Sequence, residues 1–456
     1  MTVANARKPI TSAAIIGSGA VALCAALALK RALPKADIRL IEGTNGGGGI
    51  ADGVLTIHPP ALGLLARMGL EEDGLIRSGL ASHTLGDRFA GWSNAPFIGP
   101  FAEDEPAPMG VPLGLIERAR TGRRDPACYS ATIALAEAGK FDPESLHRTG
   151  AGEGVGYALS LDRSGFTALL RRIASQAGII FAEHTDTQTD VDLRLECDGR
   201  GSVLDGALSQ DWGESIPDGE MLLSEVQGEP SLLNEYVART WGWQARLSGP
   251  RSAQNVAVFD AETGAPSAPA GAQQMTFATG RLECPMEGRR VALGDAAAVP
   301  GPLGGFGFTL ALMHLDLLLD LMPGAEPNPL LEREYNRRAA IVSDEVRDFV
   351  GVLHTHSRHP GAFWSRYREA PTELPATRHF ARSGRVSPRE VDAVSDASWA
   401  RALDALVEAE PGFDALARSV PEQTADAFLK SRRDAVAGLV HSQTDYREWL
   451  KKEFGR

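Results

Sequence analysis

The sequence predicts an α/β fold of the mixed (α+β) kind, and three observations carry that prediction. Residues 13–42 read as strand, glycine turn, helix and strand; residues 290–307 give a strand, a second glycine-rich turn and the start of a helix; and from Leu330 onward the apolar spacing is helical. They divide the chain into a portion spanning 1–330, with a second, mixed-sheet region interleaved at about 60–165 and 220–280, and a helical C-terminal subdomain over 331–456.

The first strand is the apolar run Ala-Ala-Ile-Ile at 13–16. Residues 20–32 are rich in Ala and Leu, which favour helix, and Asp37 to Glu42 (DIRLIE) forms the next strand, completing a βαβ unit of ordinary size. From about 60 to 165 helical patterns alternate with loops, and Ser164 to Gln176 is an amphipathic helix. Residues 190–205 return to a sheet as strands, 220–280 are mixed, RVAL at 290–293 is a strand, and a long helix starts near Gly305. Gly46 to Gly49 and the Ala/Pro/Gly-rich run Thr263 to Gln273 are the two compositionally odd stretches; the second reads as a surface loop.

Bulk properties narrow the function. The 456 residues are 43% hydrophobic and 23% charged, enough apolar material for one large or two moderate cores. Forty-six basic against 59 acidic residues leave a net charge of −13, which argues against nucleic acid or an anionic membrane as partner. Four scattered cysteines without a CxxC pair point to neither a metal site nor a disulfide framework, and fit a cytoplasmic protein. Ala13 to Leu29 has the apolarity of a secretory leader behind Arg7 and Lys8. It nevertheless contains Gly17-Ser18-Gly19 and is followed by no small-residue cleavage site, so the nucleotide-fold reading accounts for it better.

That reading rests on Gly17-Ser-Gly19-Ala20-Val-Ala22, which follows a strand and opens a helix. Glycines let the backbone turn tightly and approach a pyrophosphate, the helix start offers free N–H groups to the negative charge, and Ala22 permits close helix packing. Glu42 ends the next strand about twenty residues on, where a carboxylate accepts ribose hydroxyls. A second motif, Leu293-Gly294-Asp295, leads through Pro300 and Pro302 to Gly304-Gly305-Phe306-Gly307 and a helix. It resembles the segment that in flavoprotein hydroxylase-like folds puts its Asp on the ribityl or ribose hydroxyls and brings a helix N-terminus toward the isoalloxazine ring. Together they point to a Rossmann-type FAD-binding domain, with Gly17, Gly19, Ala20, Ala22, Glu42, Gly49, Asp295, Pro302, Gly304, Gly305 and Gly307 as cofactor-binding candidates.

Beyond these motifs the chain resembles the flavin-dependent tryptophan halogenases. The resemblance is carried by Trp241-Gly-Trp243-Gln-Ala-Arg, by Val191 to Gly201 with its Cys197-Asp-Gly turn, and by Glu334-Tyr-Asn-Arg, Arg347-Asp-Phe-Val, His354-Thr-His-Ser-Arg and Phe363-Trp364. It implies FAD as cofactor. Two departures stand out. Where the family carries the lysine that handles hypochlorous acid, in a context like Ala-Thr-Phe-Lys-Leu-Gly, this chain has Ala81-Ser-His83-Thr84-Leu-Gly86. Where the family carries a glutamate in Pro-Leu-Glu-Ser, it has Pro302-Leu303-Gly304-Gly305. Threonine cannot form a chloramine or act as a cation, and glycine has no side chain.

Without those groups, oxygen transfer from reduced flavin to an electron-rich ring is the expected outcome. The expected enzyme is a flavoprotein monooxygenase, with halogenation and a non-catalytic flavin-binding role as the alternatives. His58, His83, Thr84, Asp87 and Arg88 are the candidate polar groups for orienting the substrate or acting as base. One halogenase-like group fits the departures: the monooxygenase that hydroxylates a tryptophan residue in the small subunit of quinohemoprotein amine dehydrogenase on the way to a tryptophylquinone. The expected partner is thus a peptide or protein carrying a tryptophan, with NAD(P)H or a flavin reductase as electron source.

Overall fold

The computed structural model describes residues 8–42, 49–103, 107–121, 126–149, 154–182, 190–197, 209–260, 262–369, 374–407 and 414–455. Gly46 to Gly48 and the Asp198-Gly199 part of the Cys-Asp-Gly turn lie outside them. The chain folds as two compact units. One gathers Met1–Leu80, Leu161–Met221 and Gln274–Val350; the other gathers Ala81–Ser160, Leu222–Gln273 and Gly351–Arg456.

The first unit is built on a sheet with strands in the order Met286–Glu287, Arg290–Ala292, Leu193–Glu196, Ser12–Ile16, Asp37–Ile41 and Ile180–Ala182. All neighbours run parallel except the short hairpin at one edge. The chain therefore starts in the middle, fills one side, and returns to the other side of its first strand. That reversal between Ser12–Ile16 and Leu193–Glu196 is a topological switch point, and ligands of such sheets sit beyond the carboxyl ends of the strands there. The helix Ala20–Ala32 that follows the first strand is buried over its first ten residues. A helix apolar on all sides belongs inside a core, which is how Ala and Leu are used here. Helix Arg163–Gln176 begins at Asp162, whose carboxylate accepts the Gly165 N–H at 2.6 Å and so caps it, while Phe166, Leu170 and Ala174 form its buried stripe.

In the second unit, strands Ser252–Phe259, Gly242–Leu247, Leu233–Arg239, Gly86–Ala90 and Phe97–Pro100 lie side by side in that order. Neighbours are antiparallel except for Leu233–Arg239 with Gly86–Ala90, which run parallel. Strands Ala81–Thr84, Gly86–Ala90 and Phe97–Pro100 occupy a stretch expected to hold helices and loops. Each has only four or five residues and mixes His, Asp, Arg and Gly with the apolar positions, so neither period stands out in the sequence. The C-terminal helices beyond Gly351 cluster with this sheet instead of forming a unit of their own. Helix Asp396–Leu406 shows one reason: the Ser395 and Ser398 hydroxyls donate to the Pro100 carbonyl at 3.0 and 2.7 Å, closing the edge strand.

Candidate functional site

Four glycine-bearing segments of the first unit converge at the carboxyl ends of the central strands. Gly17 has φ +147°, a backbone that L side chains avoid, and turns the chain from the first strand into the first helix. Gly294 (φ +58°) lies against that helix, since a Cβ there would come within 3.1 Å of Val21 Cγ1. Gly307 approaches the segment Ile50–Gly53 so closely that its Cβ would sit 3.1 Å from the Ala51 Cα. Gly304 and Gly305 both have positive φ, +76° and +67°, and set up the start of helix Phe306–Asp320, with Pro302 preceding them. The two motifs, almost 280 positions apart in sequence, are thus one structural feature.

Two carboxylates organise this cradle. Asp295 accepts N–H bonds from Ile50 and from Ala51, the latter at 3.0 Å, and so caps the short helix Ile50–Gly53. Gly49 is required beside it, because any Cβ there would lie 2.0 Å from the Asp295 carboxylate. Asp52, which sequence reasoning missed, accepts the Val21 N–H at 3.0 Å at the start of the first helix. A Cβ on Gly19 would stand 2.1 Å from its Oδ2. The only hint in the sequence was an acid embedded in the glycine-rich stretch before the next strand. Burial, and secondarily the Asp52 charge, pushes the neighbouring Cys24 thiol far up. Ala20 and Ala22 are buried, whereas Glu42 is half-exposed and paired with Arg171, whose guanidinium also lies 5.1 Å over the Phe181 ring.

His58 belongs to the same unit. Its N–H and its ring Nδ1 both meet the Thr309 hydroxyl, at 3.0 and 2.8 Å, and that hydroxyl donates on to the Thr56 carbonyl at 2.8 Å. Its ring stacks on Phe306 at 4.7 Å. Burial lowers its pKa to about 3, against the opposing pull of the Gly304 backbone. A histidine so hard to protonate is a neutral prop under the glycine turn and a poor base.

The other candidates lie in the second unit. Thr84 and Ser160 are buried and share a hydroxyl–hydroxyl bond of 2.8 Å, while on the same side of the strand the buried Ser82 Oγ has no partner among the described residues. His83, on the opposite side, is boxed by the rings of Phe141, Tyr157, Tyr446 and Trp449 at centroid distances of 4.7 to 5.8 Å. The Tyr446 hydroxyl takes the His83 N–H at 2.8 Å and meets its Nδ1 at 3.2 Å. Asp87 is buried and bonded by the Asn234 amide at 2.9 Å, and Asn234 in turn accepts the Ser248 N–H. Burial raises the Asp87 pKa to about 8, with the Asn234 bond opposing, so the carboxyl is protonated at neutral pH. Arg88 points the other way, one-third exposed, between Glu137 and Glu235.

Two sequence segments singled out for resemblance turn out to be core. Trp243 is buried beside Tyr236, while Trp241 is only half-buried. Trp364 donates its indole N–H to the Arg239 carbonyl at 2.6 Å and meets Trp92 and His354 ring to ring.

A nucleotide with a phosphate fits the first unit. The Val21 amide is already aimed at an anion, the Gly19 backbone is bare toward the same point, and the adjoining Ser18 Oγ is buried without a partner among the described residues. Such a switch-point cradle defines a dinucleotide-binding α/β protein. More specifically, the chain belongs to the tryptophan halogenase family, whose model matches residues 12–214 and 247–422. With that family comes reliance on flavin. No curated protein matches the chain by sequence. Among solved structures, BrvH, a flavin-dependent halogenase from Brevundimonas sp. BAL3, shares 21% identity over 97% of this chain and 99% of its own, with a TM-score of 0.85. The tryptophan 6-halogenase SttH from Streptomyces toxytricini shares 18% over 97% and 99%, with a TM-score of 0.82. MibH, a lathipeptide tryptophan 5-halogenase, shares 18% over 100% and 95%, with a TM-score of 0.79. The shared fold is that of the flavin-dependent halogenases, with its Rossmann-like nucleotide domain.

Proposed function

We propose that this chain is an FAD-dependent monooxygenase that places oxygen on the indole of a tryptophan carried by a peptide or protein, as in the making of a tryptophylquinone cofactor. The observation that carries the reading is the Thr84–Ser160 pair. Where the family resemblance expects a lysine, two buried hydroxyls hold each other at 2.8 Å. Neither oxygen can become an N-halogen carrier, and neither can hold a positive charge to steer a hypohalous acid. Gly304, where the family glutamate is expected, is bare backbone at φ +76°.

Bound reduced flavin would supply oxygen activated for transfer to an electron-rich ring. The chain's own residues would then have four tasks. The amides at Val21 and beyond, with Gly17, Gly19 and Ser18, would hold the phosphates. Glu42 would take ribose hydroxyls with the lone pairs that Arg171 leaves. Gly304 to Gly307, propped by His58 and Thr309, would keep the ring's turn in place and bare of side chains. The Thr84–Ser160 pair has two hydroxyl protons and uses one internally, so one donor remains to orient an oxygen without moving a charge. A protein-borne substrate is supported by MibH, a structural relative whose name records a lathipeptide tryptophan. A flavin reductase or NAD(P)H as electron source and a cytoplasmic location belong to the same proposal.

Family membership favours halogenation as the second reading. The two separate on halide. With reduced flavin, oxygen and a tryptophan-bearing precursor peptide in halide-free buffer, the expected result is product heavier by oxygen. Product that forms only when chloride or bromide is added would overturn the reading.

A further inference from the structure

We infer that Asp52 is a built-in occupant of the phosphate seat, which the dinucleotide must displace, so that this residue sets how tightly FAD is held. The inference rests on the flavin reading above and deepens it. The Val21 N–H is the second free amide of the first helix, one of the donors that bind phosphate at such a helix start. It already points at Asp52 Oδ1, 3.0 Å away. The other carboxylate oxygen covers the bare backbone of Gly19, lying 2.1 Å from where any Cβ would be. Asp52 itself is only 9% exposed, so water does little to screen it from a second anion. One N–H cannot serve a carboxylate and a phosphate together, and two buried negative charges at contact distance repel. Binding of the pyrophosphate therefore requires the Asp52 side chain to leave.

Its departure has a consequence further along the cradle. Asp52 lies in Ile50–Gly53, whose first amides are held by Asp295 and whose Ala51 abuts Gly307. Moving Asp52 acts on the segment that joins the phosphate end to the turn at Gly304 to Gly307. The adenosine half and the ring half of the site meet at these few residues.

The test titrates FAD into the unliganded full-length protein and its Asp52→Asn and Asp52→Ser variants, following flavin fluorescence. Each variant keeps an oxygen for the Val21 amide and loses the charge. The variants are expected to bind FAD about tenfold tighter, a typical coupling between competing groups, while riboflavin, which has the ring and no phosphate, distinguishes none of the three proteins. Equal or weaker FAD binding by the variants, with binding by the wild type intact, overturns the inference and leaves the flavin reading standing. Failure of all three to bind FAD overturns both. A measurement on the wild type alone stands beside this one: in a crystal structure with FAD, the Asp52 carboxylate is expected to have left the Val21 amide, and finding it still there would overturn the inference.

Discussion

The candidate polar groups of the two units are held in different ways. In the first, carboxylates face backbone N–H groups at helix starts: Asp52 on Val21, Asp295 on Ile50 and Ala51. In the second, the candidates are hydrogen-bonded by side chains: Thr84 with Ser160, His83 with Tyr446, a protonated Asp87 with Asn234. The first arrangement has anion-binding donors in hand and suits a phosphate-bearing cofactor. Around Thr84 and His83 the second offers rings and hydroxyls, which fits the apolar aromatic substrate proposed above. The difference between these two settings is what the following substitutions break or sharpen.

The largest effect is expected in the cradle. Gly19→Val puts a side chain into the seat that Asp52 fills and the phosphates are proposed to take; overpacking of this kind costs about 1–3 kcal/mol. Flavin should be lost on gel filtration, while the second unit's near-ultraviolet circular dichroism, which reports its tryptophans, persists. Retained flavin would mean that the phosphates lie elsewhere. Next comes Tyr446→Phe, which strands the buried His83 N–H; an unsatisfied group costs about 1–3 kcal/mol, read as a fall in stability to urea with flavin affinity unchanged.

Asp87→Asn tests neutrality directly. The native pKa of about 8 lies above the ordinary carboxyl value of 3.8, so in the wild type the unfolded chain releases this proton first. The Asp87 contribution is full below about pH 4 and is lost as pH rises through about 8. The Asn variant should lack that slope and be the more stable protein at pH 8; a wild type whose stability is flat from pH 5 to 8 would show Asp87 to be ionised. The smallest effect belongs to Arg88→Ala. Its ion pairs to Glu137 and Glu235 are partly exposed, and such pairs contribute about 0–1 kcal/mol, so turnover should be unchanged within error.

The cradle was largely legible in sequence because its parts are local. Gly17 to Ala22 and Gly294 to Gly307 each sit directly after a strand and announce a turn by composition. Asp52 was not legible, because its meaning comes from an amide 31 positions away. His83 was found as a candidate, yet its box is closed by Tyr446, 363 positions on, from a terminal helix whose sequence shows only amphipathic spacing. Asp87 likewise drew notice as an acid, but its proton follows from Asn234 and from burial under a sheet that its short strand does not reveal. Local backbone chemistry is written in residue order; pairing across long separations is created by packing.

The most direct test of the whole account is the origin of the atom added to the substrate. With reduced FAD, isotopically heavy oxygen gas, a tryptophan-bearing precursor peptide, and both chloride and bromide present, the tryptophan is expected to gain heavy oxygen and no halogen. A chlorine or bromine isotope pattern on the indole, without oxygen label, would contradict the account.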